Sequence, residues 1–202
     1  MKYIQRLVLT LVLVFGGVLA VGAQAQTGAD PRLQDMVLGK PEAPITIIEY
    51  ASLTCPHCAS FHADVLPTLK TEYIDTGKAK LIFRDFPLDQ LAFAGAVLAR
   101  CGGPEKYYTY LNVLFAQQRQ WATAADPKAA LTQIGRLGGV SAEQFDKCLQ
   151  DKALGDYILN SRLEGNQKFN VNSTPTLIIN GKAESGVPSL ADLRKKLDAL
   201  AK

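Results

Sequence analysis

This sequence has few histidines and a small net charge. Only two of its 202 residues are histidine, and the formal net charge is +3. The first 25 residues hold two basic and no acidic side chains, so the rest has 20 basic against 19 acidic residues, a net charge of +1. A nearly neutral chain gives no electrostatic reason to expect nucleic acid as a partner. Internal repeats and low-complexity tracts are absent too, and the 177 residues after position 25 fit one globular domain of ordinary size.

The first 25 residues have the pattern of a secretory signal peptide. Lys2 and Arg6 form a short basic region, the run from Leu7 to Ala23 is almost wholly apolar, and Ala23-Gln24-Ala25 offers a small-x-small cleavage site. The alternative is an uncleaved membrane anchor, because these 17 apolar residues are just enough to span a bilayer. The cleavage pattern favours removal. We therefore expect an exported mature chain that begins at Gln26 and makes no stable membrane insertion.

Hydrophobic patterning divides the mature chain into a small sheet interrupted by helices. Residues 26–43 are predicted to be irregular, with a short edge strand. Residues 45–50 and 80–86 are predicted strands, and the helix between them completes a right-handed parallel strand-helix-strand unit. Residues 87–171 are predicted to be helical. In residues 172–202 a strand, an Asn-Gly hairpin turn and a closing helix follow.

Cys55-Pro56-His57-Cys58 is the motif with the most chemical content. A thiol attacks a disulfide only as its thiolate, and Cys55 precedes a predicted helix whose free N–H groups and dipole favour an anion. Pro56 suits the first helical turn, and His57 adds a hydrogen bond or a positive charge. Because a stabilised thiolate favours the reduced pair, we expect an oxidising disulfide. Cys58, one turn into the helix, should be buried and act as the resolving thiol.

The segment from Cys55 to Phe61, with Thr174-Pro175 and Asn180-Gly181-Lys182 downstream, resembles the DsbA family of thioredoxin-fold oxidoreductases. The resemblance covers essentially the whole mature chain. In that family the first cysteine is the nucleophile, the second resolves, and a cis-proline faces the active-site sulfur. These roles carry over to Cys55, Cys58 and Pro175.

The resemblance implies an α/β fold, a thioredoxin fold with an inserted helical subdomain. Residues 44–86 and 172–202 would form the thioredoxin-like domain, and residues 87–171 the insert. It also implies a periplasmic oxidase that introduces disulfides into unfolded or newly exported cysteine-containing proteins, and a membrane protein of the DsbB type that reoxidises it. We expect no cofactor. A redox-inert binding protein or metal chaperone is the more distant alternative.

Two residues bear on how far the resemblance extends. Glu49, six positions before Cys55, matches the buried acid beneath the family's active site, where a carboxylate can relay the proton of the resolving thiol. The alternative is a Glu at the strand edge that pairs with a nearby Lys or Arg. Thr174 departs from the valine of the best-known oxidases and is common in related isomerases and reductases. The choice between an oxidase and an isomerase or reductase therefore stays open.

The remaining cysteines and histidine have less specific patterns. Cys101 and Cys148 stand 47 positions apart in the helical stretch, and some members of this family carry a second disulfide, so we expect a structural bridge here. Loop entropy puts its contribution at roughly 4 kcal/mol, and a bridge that tunes the active site is the alternative. His62 shares a helical face with Cys55 and Cys58, but zinc usually needs four ligands. We expect no metal, and a partly exposed His62.

Overall fold

Five strands form one mixed sheet within the part of the chain that the computed structural model describes, residues 29–184 and 188–201. They are β1 (Val37–Leu38), β2 (Ile45–Ala51), β3 (Ala79–Asp85), β4 (Thr176–Ile179) and β5 (Lys182–Glu184). Their order across the sheet is β1-β3-β2-β4-β5, in which β2 and β3 are parallel and the other neighbours antiparallel. The predicted signal peptide, residues 1–25, lies outside the described residues.

The two central strands are joined by a helix that changes its winding along its length. Both strands are mostly buried, because helices or loops cover the two faces of the sheet here. The connection consists of α1 (Pro56–Ser60), a π-helical turn (Phe61–Val65), α2 (Leu66–Leu69) and a second π-helical turn (Lys70–Ile74). This crossover is the predicted parallel strand-helix-strand unit.

Helices occupy most of the chain between β3 and β4, as the hydrophobic pattern predicts. They are α3 (Gln90–Cys101), a 3-10 turn (Pro104–Lys106), α4 (Tyr107–Ala116), α5 (Gln118–Ala122), α6 (Pro127–Leu137), α7 (Ala142–Gln150) and α8 (Lys152–Phe169). Four of them begin at a side chain that accepts a hydrogen bond from a first-turn N–H, which the helix itself leaves unpaired. These caps are Asp89, Asp126, Ser141 and Asp151.

The helices and the sheet share a hydrophobic core that reaches the Cys-Pro-His-Cys motif. Phe83 of β3 packs edge-to-face against Tyr107 and Phe115 of α4, with ring centroids 6.3 and 6.0 Å apart. Cys58 and Trp121 belong to the same buried cluster. The motif therefore lies where the helices meet the sheet.

A buried ion pair also ties α3 to β3. Arg100 Nε donates to Asp85 Oδ2 at 2.6 Å, and the two side chains are 0% and 1% exposed. The guanidinium lies over the rings of Tyr107 and Tyr157, 5.0 and 4.6 Å from their centroids. Because removal of either partner leaves an uncompensated buried charge, the pair fixes the position of α3 on the sheet.

The C-terminal part is a hairpin followed by a helix. Asn180 and Gly181 have φ values of 45° and 80°, as a two-residue turn between β4 and β5 requires. The last helix, α9 (Leu190–Leu200), buries Leu193 and Leu197 against the sheet. Among the described residues, no helix has the length and apolar character needed to cross a membrane.

Candidate active site

The Cys-Pro-His-Cys motif lies where β2 ends and α1 begins. Cys55 is the residue that precedes the helix, with extended backbone angles, and Pro56 occupies the first turn. Pro56 and His57 are exposed, Cys55 is 6% exposed and Cys58 is completely buried. Both cysteines are unbridged thiols in this structure. The motif thus presents one sulfur near the surface and keeps the second behind it.

The surroundings of Cys55 favour its thiolate. The pKa of Cys55 is lowered to about 5, chiefly by a hydrogen bond from the Cys58 thiol. The Thr174 side chain and the main-chain N–H groups of Cys58 and His57 lower the pKa further, whereas burial acts in the opposite direction. These N–H groups are the unpaired donors at the start of α1. His57 contributes its main-chain N–H, while its imidazole is exposed.

The Cys58 thiol has the opposite character. Burial raises the pKa of Cys58 well above the ordinary cysteine range, and both its hydrogen bond to Cys55 and the charge of Glu49 raise it further. At neutral pH, therefore, Cys55 is ionised and Cys58 keeps its proton.

A loop from the far end of the sequence contacts the Cys55 sulfur. The Thr174-Pro175 peptide bond is cis, as the resemblance implies. The Cys55 thiol donates to the main-chain oxygen of Thr174, with 3.3 Å between sulfur and oxygen. The Thr174 hydroxyl is buried without a hydrogen-bond partner, so it is available to donate to the thiolate once Cys55 ionises.

Glu49 is completely buried in β2 and pairs with a histidine. Both of its carboxylate oxygens contact His62 Nε2, at 3.1 and 3.0 Å. The alternative in which Glu49 pairs with a Lys or Arg at the strand edge is therefore wrong. The expectation of a partly exposed His62 is wrong as well, because its side chain is only 4% exposed. The physical reason is helical geometry: a residue four positions after the buried Cys58 shares its inward face.

Gln118 of α5 is a site residue that the sequence does not reveal. Its buried side-chain amide donates to the main-chain oxygens of Leu53 and Cys55, at 2.8 and 3.0 Å. The contact fastens the loop before α1 to the helical region. A single glutamine within a helical stretch has no distinctive neighbours in sequence, so only the tertiary contact identifies it.

The second cysteine pair is bridged, as expected. Cys101 at the end of α3 and Cys148 of α7 form a disulfide that joins residues 47 positions apart. Both are buried, at 5% and 6% exposure. Across the described residues, no cluster of three or more His, Cys, Asp or Glu side chains has the arrangement of a metal site.

A thiolate and a protonated thiol one helical turn apart are suited to exchange a disulfide with the cysteines of another protein. On a sheet of this topology, with a cis-proline loop against the outer sulfur, they define the class of thioredoxin-fold thiol:disulfide oxidoreductases. Comparison with known proteins agrees, because the family model described as Thioredoxin matches residues 32–199.

The chain belongs to the thioredoxin family and, within it, to the DsbA proteins. It is similar to the crystal structure of alpha-DsbA1 from Wolbachia pipientis, with a TM-score of 0.77 and 34% identity over 83% of this chain and 91% of that chain. A putative protein-disulfide oxidoreductase of Rickettsia conorii is 38% identical over 149 residues, 73% of this chain and 53% of the relative. The probable disulfide bond formation protein D of Bacillus anthracis is 29% identical over 80% of this chain and 76% of its own length. This chain spans about half the length of the rickettsial relatives it matches.

Proposed function

We propose that this protein is a DsbA-type oxidase that introduces disulfides into translocated proteins by exchange through Cys55 and Cys58. The observation that carries the proposal is that the pKa values of the two thiols are shifted in opposite directions. The pKa of Cys55 is lowered to about 5, while that of the buried Cys58 is raised. A thiolate this stable favours the reduced pair, and its disulfide is correspondingly oxidising.

The exchange takes two displacement steps. A substrate thiolate attacks Cys55 Sγ, the Cys55–Cys58 bond breaks, and its electron pair goes to the Cys58 sulfur, which takes up a proton. A second substrate thiolate then attacks the substrate sulfur of the mixed disulfide, and Cys55 leaves as its thiolate. The substrate loses two electrons and gains one disulfide, and the protein gains both electrons. A leaving thiol with a low pKa departs faster, which favours this direction.

The cis-proline loop is the proposed contact for the substrate chain. The main chain of Thr174 lies beside the Cys55 sulfur, where an extended peptide can pair with it as an added strand. Pro56 and His57 are exposed at the start of α1 and face the incoming cysteine. Recognition through main-chain groups places few demands on sequence, and this fits a range of unfolded or newly exported cysteine-containing proteins.

The proposed setting is the periplasm, after removal of a signal peptide by cleavage following Ala25. A membrane protein of the DsbB type would accept the electrons and reoxidise Cys55 and Cys58. In the proposed organisation residues 26–43 precede the catalytic fold, residues 44–86 and 172–202 form the thioredoxin-like domain, and residues 87–171 form the inserted helical subdomain.

A periplasmic isomerase or reductase is the second candidate, and Thr174 is the observation that favours it. The threonine hydroxyl is an added donor to the Cys55 sulfur. A pair that is stable in its reduced form can begin isomerisation by attack on a non-native disulfide, whereas the same stabilisation opposes net reduction of a substrate.

The reduction potential of Cys55 and Cys58 separates an oxidase from a reductase, and refolding of scrambled ribonuclease separates an oxidase from an isomerase. We expect equilibration with glutathione to give a potential clearly more oxidising than that of thioredoxin, about −270 mV. We also expect the oxidised protein to introduce disulfides into reduced, unfolded ribonuclease. Cys55→Ser should abolish this activity, whereas Cys101→Ala with Cys148→Ala serves as a control that keeps both active-site thiols. A potential near that of thioredoxin would contradict an oxidase.

A further inference from the structure

Glu49 and His62 form a buried acid–imidazole pair between β2 and the helix that carries the dithiol. Glu49 is 0% exposed, and His62 Nε2 is its one side-chain hydrogen-bond partner within the described residues. No lysine or arginine of that part of the chain forms an ion pair with this carboxylate. Because an unpaired carboxylate is costly in an apolar core, the imidazole is what allows Glu49 to lie there.

Aromatic rings hold the His62 imidazole in place. Its ring stacks on Phe115 of α4 with the centroids 4.0 Å apart and the planes tilted by 30°. Phe61 and Phe83 contact it edge-on, each with centroids 6.0 Å away. The imidazole is thus fixed against Glu49, and Glu49 in turn lies close enough to Cys58 for its charge to act on that thiol.

His62 also lines a cavity of about 510 Å³ between this helix and α4. Exposed polar residues stand at its edge, among them Asp64, Lys70 and Asn112. Nδ1 of His62 is buried and has no hydrogen-bond partner among the described residues. A polar-edged space of this size accommodates water, and the imidazole lies between this cavity and the carboxylate next to Cys58. Nδ1 is covered, and a small shift of the side chains over it brings it into contact with that water.

We propose that His62 is a positioning residue of the exchange reaction, which orients Glu49 beside Cys58 and carries protons between that carboxylate and water in the cavity. This inference rests on the proposed function. When a substrate thiolate opens the Cys55–Cys58 disulfide, a proton passes from the Glu49–His62 pair to the departing Cys58 sulfur, and the pair regains a proton from water. In reoxidation Cys58 gives its proton to the pair and its sulfur attacks Cys55 Sγ of the mixed disulfide. The bond from Cys55 to the partner sulfur breaks, and the partner leaves as its thiolate.

Rapid mixing of the reduced protein with oxidised glutathione, followed by acid quenching and mass spectrometry, separates the two steps. Formation of the mixed disulfide at Cys55 is proportional to the glutathione concentration, whereas its resolution by Cys58 is not. We expect His62→Gln to slow resolution by about a hundredfold, the lower end of the ~10²–10⁴-fold contribution of a positioned acid–base group, and to leave mixed-disulfide formation unchanged.

Tyr108→Phe is the matched control, because Tyr108 lines the same cavity but its hydroxyl is bound to main-chain groups of Met36, Leu81 and Phe83. We expect this variant to resolve at the wild-type rate. His62→Ala leaves room for one free imidazole, and added imidazole should restore its resolution rate but not that of Glu49→Gln. A structural role alone does not predict this rescue.

Several results would overturn the inference. The inference fails if His62→Gln resolves the mixed disulfide at the wild-type rate, or if it slows mixed-disulfide formation as much as resolution. It also fails if Tyr108→Phe slows resolution as much as His62→Gln does, or if imidazole does not restore resolution in a folded His62→Ala protein. If wild-type Cys55 forms no mixed disulfide at all, the proposed function fails instead. The two failures are therefore distinguishable in the same experiment.

Discussion

Cys55 and Cys58 carry the same functional group and differ because of what surrounds each sulfur. The Cys58 thiol, the Thr174 side chain and the N–H groups at the start of α1 all lower the pKa of Cys55, whereas Cys58 is buried beside a carboxylate. Hydrogen bonds to the charged form lower a thiol pKa, and burial raises it. The chemistry of the motif is therefore set by contacts that reach it from three separate parts of the chain.

Thr174→Val tests the contribution of one such contact. In the wild-type protein the rate of Cys55 alkylation by iodoacetamide should fall as the pH drops through about 5, because only the thiolate reacts and that is its pKa. Loss of the hydroxyl should raise this midpoint. Thr176→Val is the control, since its hydroxyl donates to the main-chain oxygen of Ser173 and stabilises no sulfur. An unchanged midpoint in Thr174→Val would remove Thr174 from the set of stabilising groups.

Among the elements, α8 packs tightly on the ring of Tyr50, a residue of β2. A Cβ atom at Gly165 of α8 would come within 2.6 Å of Cε1 of Tyr50, a distance that real side chains do not reach. Tyr50 is completely buried and packs against Phe86 and Phe169, with ring centroids 6.3 and 6.2 Å away. The helix can therefore pack this closely on the Tyr50 ring only where it has no side chain.

Gly165→Ala should accordingly destabilise the protein by about 1–3 kcal/mol, the usual cost of overpacking a core. Gly155→Ala is the matched control in the same helix, because its nearest neighbour is Phe93 Cζ at an ordinary 3.4 Å. There the higher helix propensity of alanine should stabilise by up to about 1 kcal/mol. Urea unfolding monitored by circular dichroism measures both effects. Equal changes in the two variants would mean that the contact with Tyr50 is not limiting.

In the molecule as a whole, the helical region is joined to the sheet by contacts of different kinds. The buried pair of Arg100 and Asp85 links α3 to β3, and Gln118 links α5 to the loop before α1. The Cys101–Cys148 disulfide, by contrast, joins two helices of the region to each other. The disulfide therefore stabilises the helical region internally, whereas the Arg100–Asp85 pair and Gln118 hold that region against the sheet and the active-site loop.

Replacement of Cys101 and Cys148 by alanine should lower the free energy of unfolding by roughly 4 kcal/mol, since the unfolded chain regains the entropy of a long loop. The potential of Cys55 and Cys58 should stay unchanged, because none of the groups that lower the Cys55 pKa belongs to the bridge. Denaturant unfolding and glutathione equilibration give the two quantities. A shifted potential would support the alternative in which this bridge tunes the active site.

Features that depend on a few adjacent residues could be predicted from the sequence. The start of α1 at Pro56, the Asn180-Gly181 turn and the central strands follow from backbone stereochemistry and hydrophobic period, which act over short distances. The burial of His62 against Glu49 and the contact of Gln118 with the main chain of Cys55 are apparent only in the folded protein. These contacts depend on how separate elements pack, and no local pattern specifies which residues then face each other.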